Sequence, residues 1–403
     1  MPQVFVGRQP IFDANLNLFA YELLFRQGNH QQAGVIDGDQ ATAQVLVNTF
    51  LEFGLEQLVG NHLAFVNFTR SILLSDELPP FPPDRLGIEI LENEVLDEDL
   101  VNAVEKLSQK GFTLALDDFV YDPIWEPLIA AVSLVKIDVR SLTPSAVQEQ
   151  VHIMRRRRKQ ILAEKVETRE EFETYKAMGF DYFQGYFLSR PEVISRETVP
   201  VNRLNTLQLL AAFQNPDIGV DDIEELVRRD VSLSFKLLRY INSAFFALTE
   251  KVSSVRQAVV YLGLGPVKRL TSMLIVSEIN DQPQELMRVA LVRGNMCERL
   301  CQKAVGAEPD SYFIVGLFSV LDALLNLPLS RILEQLPLSE KVTIAILKQE
   351  GLMGDALRCT LAYEECDWAK VEFAELSEEA LSEVYAESVR WSWAMSSLLS
   401  ATV

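Results

Sequence analysis

Over its first two hundred residues the sequence alternates short apolar runs with stretches of helical periodicity, and this alternation limits the fold more than any other feature. The runs are Val4–Phe12, Leu16–Phe25, His62–Phe68, Arg85–Leu91, Thr113–Phe119, Leu134–Asp138, Gln160–Val166 and Tyr182–Phe187. Amphipathic stretches such as Ala41–Gly54 and Asp97–Lys110 lie between them. Near-continuous apolar strands alternating with helices imply a parallel sheet covered by helices on its faces. Eight strands suit a closed α/β barrel of TIM type. The opening pair reads as a hairpin turning at Asp13-Ala14-Asn15, which sets the first strand antiparallel to its neighbour.

Around Arg190–Leu207, with Pro191 and Pro200, the alternation stops, and the linker is placed there. Beyond it only helical spacing is found, as in Asp221–Arg229, Leu233–Asn242, Ser254–Leu262 and Met287–Ala304. Asp230 and Ser254 stand as helix starts. The fold expected is an α/β barrel over residues 1–200 followed by an all-α domain over 205–395.

Polar side chains recur within or at the end of the apolar runs: Glu22, Asn67, Glu89, Asp117 with Asp118, Lys136 with Asp138, Glu164 and Gln184. One charge in a buried strand can be a satisfied core acid, but a carboxylate or amide on nearly every strand cannot be explained one by one. In a parallel barrel the C-terminal strand ends gather in one place. Clustered oxygens there suit hard cations such as Mg²⁺ or Mn²⁺, and adjacent Asp117 and Asp118 could help hold two. The alternative is an internal ion-pair network around Lys136 and Arg26.

The net charge is −20, which disfavours nucleic acid and anionic membrane as partners. The basic run Arg155–Lys159 reads as a solvated helix C-terminus, where cations suit the helix dipole. The four cysteines, Cys297, Cys301, Cys359 and Cys366, read as buried free thiols, with a Cys₄ zinc site as the alternative. The start of the chain has no signal-peptide pattern. The most apolar stretch, Phe313–Leu329, is short for a membrane span and reads as one buried helix. A cytoplasmic protein is expected.

The ordered motifs Glu22-Leu23-Leu24-Phe25-Arg26, Asn67, Glu89-Ile90-Leu91-Glu92, Asp117-Asp118-Phe119, Lys136-Ile137-Asp138, Ala163-Glu164-Lys165-Val166-Glu167 and Gln184-Gly185 resemble the EAL domain. That family hydrolyses cyclic di-GMP to a linear dinucleotide. The resemblance implies that Glu22, Asn67, Glu89 and Asp117 ligate one metal ion and that Asp117, Asp118 and Glu164 hold a second, the ions being Mg²⁺ or Mn²⁺. It implies that Lys136 positions the attacking water or the phosphate, that Arg26 and Gln184 contact the dinucleotide, and that Glu92 anchors the loop after the fifth strand. Two positions depart from the family: Val120-Tyr121-Asp122-Pro123 replaces a Gly-Thr-Gly loop, and Lys165 replaces a common Gly.

The helical half, at Asp230–Phe246 and Val252–Gly263, resembles the HDOD domain, a relative of HD-type metal phosphohydrolases. The three histidines, His30, His62 and His152, all precede it, and Gly316–Asp322 stands where a His-Asp pair is expected. The resemblance therefore implies a regulatory or interaction module with a protein partner, and it leaves room for a homodimer. Two readings follow: a metal-dependent cyclic di-GMP phosphodiesterase, or a silent receptor or scaffold that relays through the helical domain.

Overall fold

The structure is a computed structural model that describes residues 4–27, 55–75, 82–92, 94–188, 201–215, 217–243, 251–277, 279, 283–306, 308–325 and 327–400. The chain divides into two compact units, residues 1–190 and 191–403.

The first unit is a closed barrel of eight strands: β1 (Val4–Asp13), β2 (Leu18–Gln27), β3 (Leu63–Phe68), β4 (Leu86–Ile90), β5 (Thr113–Leu116), β6 (Leu134–Asp138), β7 (Gln160–Glu164) and β8 (Tyr182–Gln184). Strand β1 runs antiparallel to both β2 and β8, and every other pair is parallel. The hairpin turns where expected but is longer. Asp13 Oδ1 accepts from the backbone N–H of Asn15 and Asn17 at 2.8 and 2.9 Å, and Leu16 sits in the turn at φ +65°. Short side chains of this kind favour turns because they bond their own backbone.

Alternation along the strands sorts the interior into layers. Ile11, Ala20, Phe65, Ala115, Leu134 and Leu162 form an apolar plug. Two residues further along five of these strands stand Glu22, Asn67, Asp117, Lys136 and Glu164. The polar residues are therefore the next inward layer, towards the C-terminal ends of the parallel strands. Gly87 completes the plug by omission: a Cβ there would lie 2.4 Å from the Phe65 ring, which fills the space.

Helices α1 (Leu55–Val59), α2 (Arg70–Leu73), α3 (Glu98–Gln109), α4 (Glu126–Ala131), α5 (Pro144–Arg156) and α6 (Arg169–Met178) connect the strands. Helix α3 is capped by Asp97, α5 by Thr143 with Pro144 at its first position, and α6 by a Thr168–Glu171 capping box. The amphipathic stretch Ala41–Gly54 lies outside the described residues. The basic run differs from expectation: it stitches neighbouring segments together and does not simply face water. Arg155 bonds Gly179 O and Asp181, Arg157 bonds Glu126 and Tyr121, and Lys159 Nζ bonds Ala130 O and Val132 O at 3.0 and 2.7 Å.

The second unit is helical: α7 (Val201–Gln214), α8 (Val220–Arg229), α9 (Val231–Ile241), α10 (Val255–Leu262), α11 (Leu264–Ser277), α12 (Gln284–Ala304), α13 (Pro309–Phe318), α14 (Leu321–Leu325), α15 (Leu329–Leu333), α16 (Glu340–Lys348), α17 (Gly351–Glu364) and α18 (Glu378–Ser400). Asp230 and Ser254 cap α9 and α10 as the sequence suggests. Helix α12 packs against α13, α17 and α18. Gly316 lets α13 approach it, since a Cβ would lie 2.2 Å from Arg293 O. Two expectations fail here. The linker extends less far than Leu207, because a helix starts at Val201 and buries Leu207, Leu210 and Phe213. Phe313–Leu329 is split between α13 and α14, with Asp322 Oδ1 accepting from Ala323 N at 2.8 Å and Ser319 closing α13. All four cysteines are free; Cys366 is half-buried and the other three are buried. Among the described residues no helix is long and apolar enough to cross a membrane.

Candidate functional site at the barrel mouth

The polar layer converges on one side chain. Lys136, at the centre of β6, is fully buried. Its Nζ lies 2.6 Å from Asp117 Oδ1, 2.9 Å from Glu89 Oε1, 3.1 Å from Glu164 Oε1 and 3.3 Å from Glu22 Oε2. Register explains the convergence: Asn67 pairs with Glu89, Glu22 with Phe65, and Asp138 with Glu164 on adjacent strands.

One ammonium has three N–H donors, whereas four carboxylates carry eight oxygens. The shortfall is visible. Both oxygens of Glu89, Asp117 Oδ1, Glu164 Oε2, Asn67 Oδ1 and Gln184 Oε1 are buried without a hydrogen-bond partner. Glu89 Oε1 and Asp117 Oδ1 still meet the Lys136 charge at 2.9 and 2.6 Å, so the buried carboxylate oxygens here with neither a hydrogen bond nor an ion pair among the described residues are Glu89 Oε2 and Glu164 Oε2. Only Glu22 is well provided. It accepts from Gln184 Nε2 at 2.6 Å, from Lys136 at 3.3 Å and from Asn67 Nδ2 at 3.4 Å.

The acidities follow. Burial alone would raise Glu22, but the Lys136 charge and the Gln184 amide hold its carboxyl below the usual range. Burial and the neighbouring Glu22 and Asp117 charges push Glu89 well up. Burial likewise raises Asp117, and it pushes Glu164 up to about 8. Burial would lower Lys136, yet the four carboxylates hold it well above its ordinary value. The centre carries more negative charge than its lysine balances, so it demands protons or another cation.

Carboxylate and amide oxygens in such number are the donors a hard divalent cation takes. The orphaned oxygens fit that group. As they stand, no three of the described Asp, Glu, His or Cys side chains are spaced to hold a metal ion, because Lys136 gathers the carboxylates onto itself.

Other expected residues sit apart. Asp118 turns outward at φ +41° and faces Lys165 at 3.6 Å. Arg26 lies on β2 opposite Phe5, and its side chain lies outside the described residues. Glu92 is exposed, and the loop it was expected to anchor bonds elsewhere. Tyr121 N donates to Gln150 Oε1 at 2.9 Å, and Tyr121 OH donates to Glu126 Oε1 at 2.7 Å. Arg157 donates to the Tyr121 hydroxyl at 2.8 Å, grips Glu126 through Nε at 3.0 and 3.1 Å, and lies 4.6 Å over the Tyr121 ring. Asp122 caps the turn at Pro123–Trp125.

One member escapes the sequence reading. Gln9 accepts from Gln184 Nε2 at 2.8 Å; its signal was a polar residue on β1 in register with Glu22. Asp138, which the sequence singles out with Lys136 on the same strand, bonds Lys165 Nζ at 2.5 Å.

A profile of the EAL domain matches residues 39–191, and one of the HDOD domain matches residues 200–334. Glu22 lies ahead of the matched EAL segment, and the fold brings it to the others. The chain is 36% identical over 377 residues to the cyclic di-GMP phosphodiesterase CdgJ of Vibrio cholerae, covering 92% of this chain and 87% of that one. It is 32% identical over 400 residues to the uncharacterized protein YuxH of Bacillus subtilis, covering 96% and 98%. Among solved structures, the calcium and cyclic di-GMP complex of BlrP1 from Klebsiella pneumoniae aligns over 47% of this chain and 56% of that one, at 22% identity and a TM-score of 0.39.

Proposed function

Because the chain belongs to the family of two-domain EAL–HDOD proteins, we propose that its barrel mouth binds cyclic di-GMP and hydrolyses it to the linear dinucleotide with the help of divalent metal. The observation that carries this reading is the buried surplus of carboxylate oxygens around Lys136. Glu22, Asn67, Glu89 and Asp117 are the donors for one Mg²⁺ or Mn²⁺ ion. Asp117, Asp118 and Glu164 would be the donors for any second ion, in competition with the Lys165 ammonium at Asp118.

When bound, the metal supplies charge against the phosphodiester and acidifies an attacking water. The chain's own residues do the rest. Lys136 Nζ, fixed by carboxylates from four strands, offers a positive group to a phosphate oxygen or to the attacking water. Glu164, its carboxyl made a weaker acid by burial and pushed up to about 8, can hold or release a proton near neutral pH. Gln184 is held by Gln9 and Glu22 at the rim and, with Arg26, would contact the dinucleotide. An anionic diester entering a chain of net charge −20 needs such cations.

The helical unit is the regulatory or interaction module. It has no histidine with which to build an HD-type metal centre. Arg293 occupies its interior beside Asp322, bonded to Glu364 at 2.8 Å and Ser319 at 3.3 Å. A protein partner in the cytoplasm fits this role.

Purified full-length protein with Mg²⁺ or Mn²⁺ should convert cyclic di-GMP to the linear dinucleotide, and Glu22→Ala or Asp117→Asn should abolish the conversion. A second reading, a receptor that binds without hydrolysis, is favoured by the Tyr121–Glu126–Arg157 clamp, which holds the loop after β5 in one place. Binding without turnover, with turnover gained when glycines replace Val120–Pro123, supports the receptor. Neither binding nor turnover defeats both.

A further inference from the structure

Two lysines divide the acidic ring between them. Lys136 serves the inner carboxylates, and Lys165, next in sequence to Glu164, serves the outer ones. Its Nζ lies 2.5 Å from Asp138 Oδ2 and 3.6 Å from Asp118 Oδ1. We infer that Lys165 is a resident cation filling the outer of two cation positions, so that the ring takes up one divalent ion per chain instead of two. This rests on reading the ring as a metal site.

The outer position is built, not incidental. Asp138 Oδ1 accepts from the backbone N–H of Arg140 and Ser141 at 2.8 and 3.3 Å, which leaves Oδ2 for the ammonium. Lys165 and Asp118 both adopt the left-handed backbone conformation, at φ +61° and +41°. Long and branched-off side chains avoid that region. Here it turns the chain just after β7 and β5 and sets the two side chains facing one another. The result is an ammonium between two carboxylates, one of which, Asp118, is a donor a second ion would need.

Charge decides between the positions. Inside, four carboxylates share one ammonium, and oxygens of Glu89 and Glu164 remain buried and unpartnered. Outside, two carboxylates already share one ammonium, and half of the Lys165 side chain faces solvent. A divalent ion gains most where the uncompensated charge is largest and water is excluded. At the outer position it must displace a tethered cation that is always present at high local concentration.

The test is the number of Mn²⁺ ions bound by metal-free full-length protein, counted by equilibrium dialysis and followed by electron paramagnetic resonance. The native chain should bind one, with an uncoupled signal. Lys165→Gly, which suits the left-handed backbone, should bind two with a spin-coupled signal, and Lys165→Arg should bind one. Two ions on the native chain, or one on the Lys165→Gly chain, overturns the inference. No ion on any of the three overturns the metal reading beneath it.

Discussion

Both units bury ionised side chains, but they do so differently. In the helical unit three arginines each meet one or two carboxylates: Arg293 meets Glu364 beside Asp322, Arg288 meets Glu285, and Arg269 meets Glu298 and Asp310. In the barrel, four carboxylates crowd one ammonium, and Glu89 Oε2 and Glu164 Oε2 are buried with no partner among the described residues. A paired charge is answered inside the protein and serves the fold. A surplus of one sign is unstable in isolation and persists where a ligand answers it. The imbalance, more than the presence of buried charge, marks the barrel mouth as the site.

The largest effect should come from removing one member of the surplus. Glu89→Gln or Asp117→Asn should lower turnover of cyclic di-GMP on the order of 10³-fold. Neither should lower the melting temperature of the metal-free barrel, because each subtracts an unbalanced charge while keeping the side chain's shape. A stability loss as large as the loss of activity would show that the carboxylates are structural.

The paired charges should respond the opposite way. Arg293→Met should destabilise the helical unit by about 3 kcal/mol, since it removes the guanidinium that Glu364 and Ser319 bond and that faces Asp322. Arg293→Met combined with Glu364→Leu should recover much of that in urea unfolding. If the double variant is no better than the single one, the Arg293 and Glu364 charges do not answer each other as described.

A comparable effect is expected from pH. Glu164, pushed up to about 8, keeps its proton in the folded barrel where the unfolded chain, at an ordinary 4.5, has released it. The stability this gives is complete below pH 4.5 and is lost progressively as pH rises from 4.5 through 8, on the order of 5 kcal/mol in all. Urea-dependent proteolysis of the metal-free barrel across that range reads it directly, and Glu164→Gln should flatten the profile.

The smallest effect belongs to the clamp. Tyr121→Phe removes the hydroxyl shared by Glu126 and Arg157, costs about 1 kcal/mol or less, and should speed amide exchange only in residues 120–125.

The ring was legible in the sequence because its members interrupt or end apolar runs, and Glu22, Asn67, Asp117, Lys136 and Glu164 each stand two residues past a plug residue. What the sequence hid depends on approach across strands. Nothing local to Lys165 says that its ammonium reaches Asp138, twenty-seven positions away, or that Gln9 on the antiparallel strand steadies Gln184. The basic run misled because cations at a helix end suit the dipole whether or not they also reach a neighbour, and only the fold brings Glu126 and Asp181 within reach of Arg157 and Arg155. Phe313–Leu329 misled because uniform hydrophobicity marks burial without marking where Ser319 and Asp322 end one helix and begin another.

The contrast between the two units is tested most directly by hydrogen exchange of the full chain with and without saturating Mn²⁺. A ligand that binds only the folded barrel stabilises it by about 2.7 kcal/mol at a hundred times its dissociation constant. Slowed exchange confined to Leu86–Ile90, Thr113–Leu116, Leu134–Asp138 and Gln160–Glu164, with Gln284–Ala304 unchanged, is the result expected. Equal slowing in both units, or none in the strands, would contradict the claim that the barrel's surplus of charge awaits a cation.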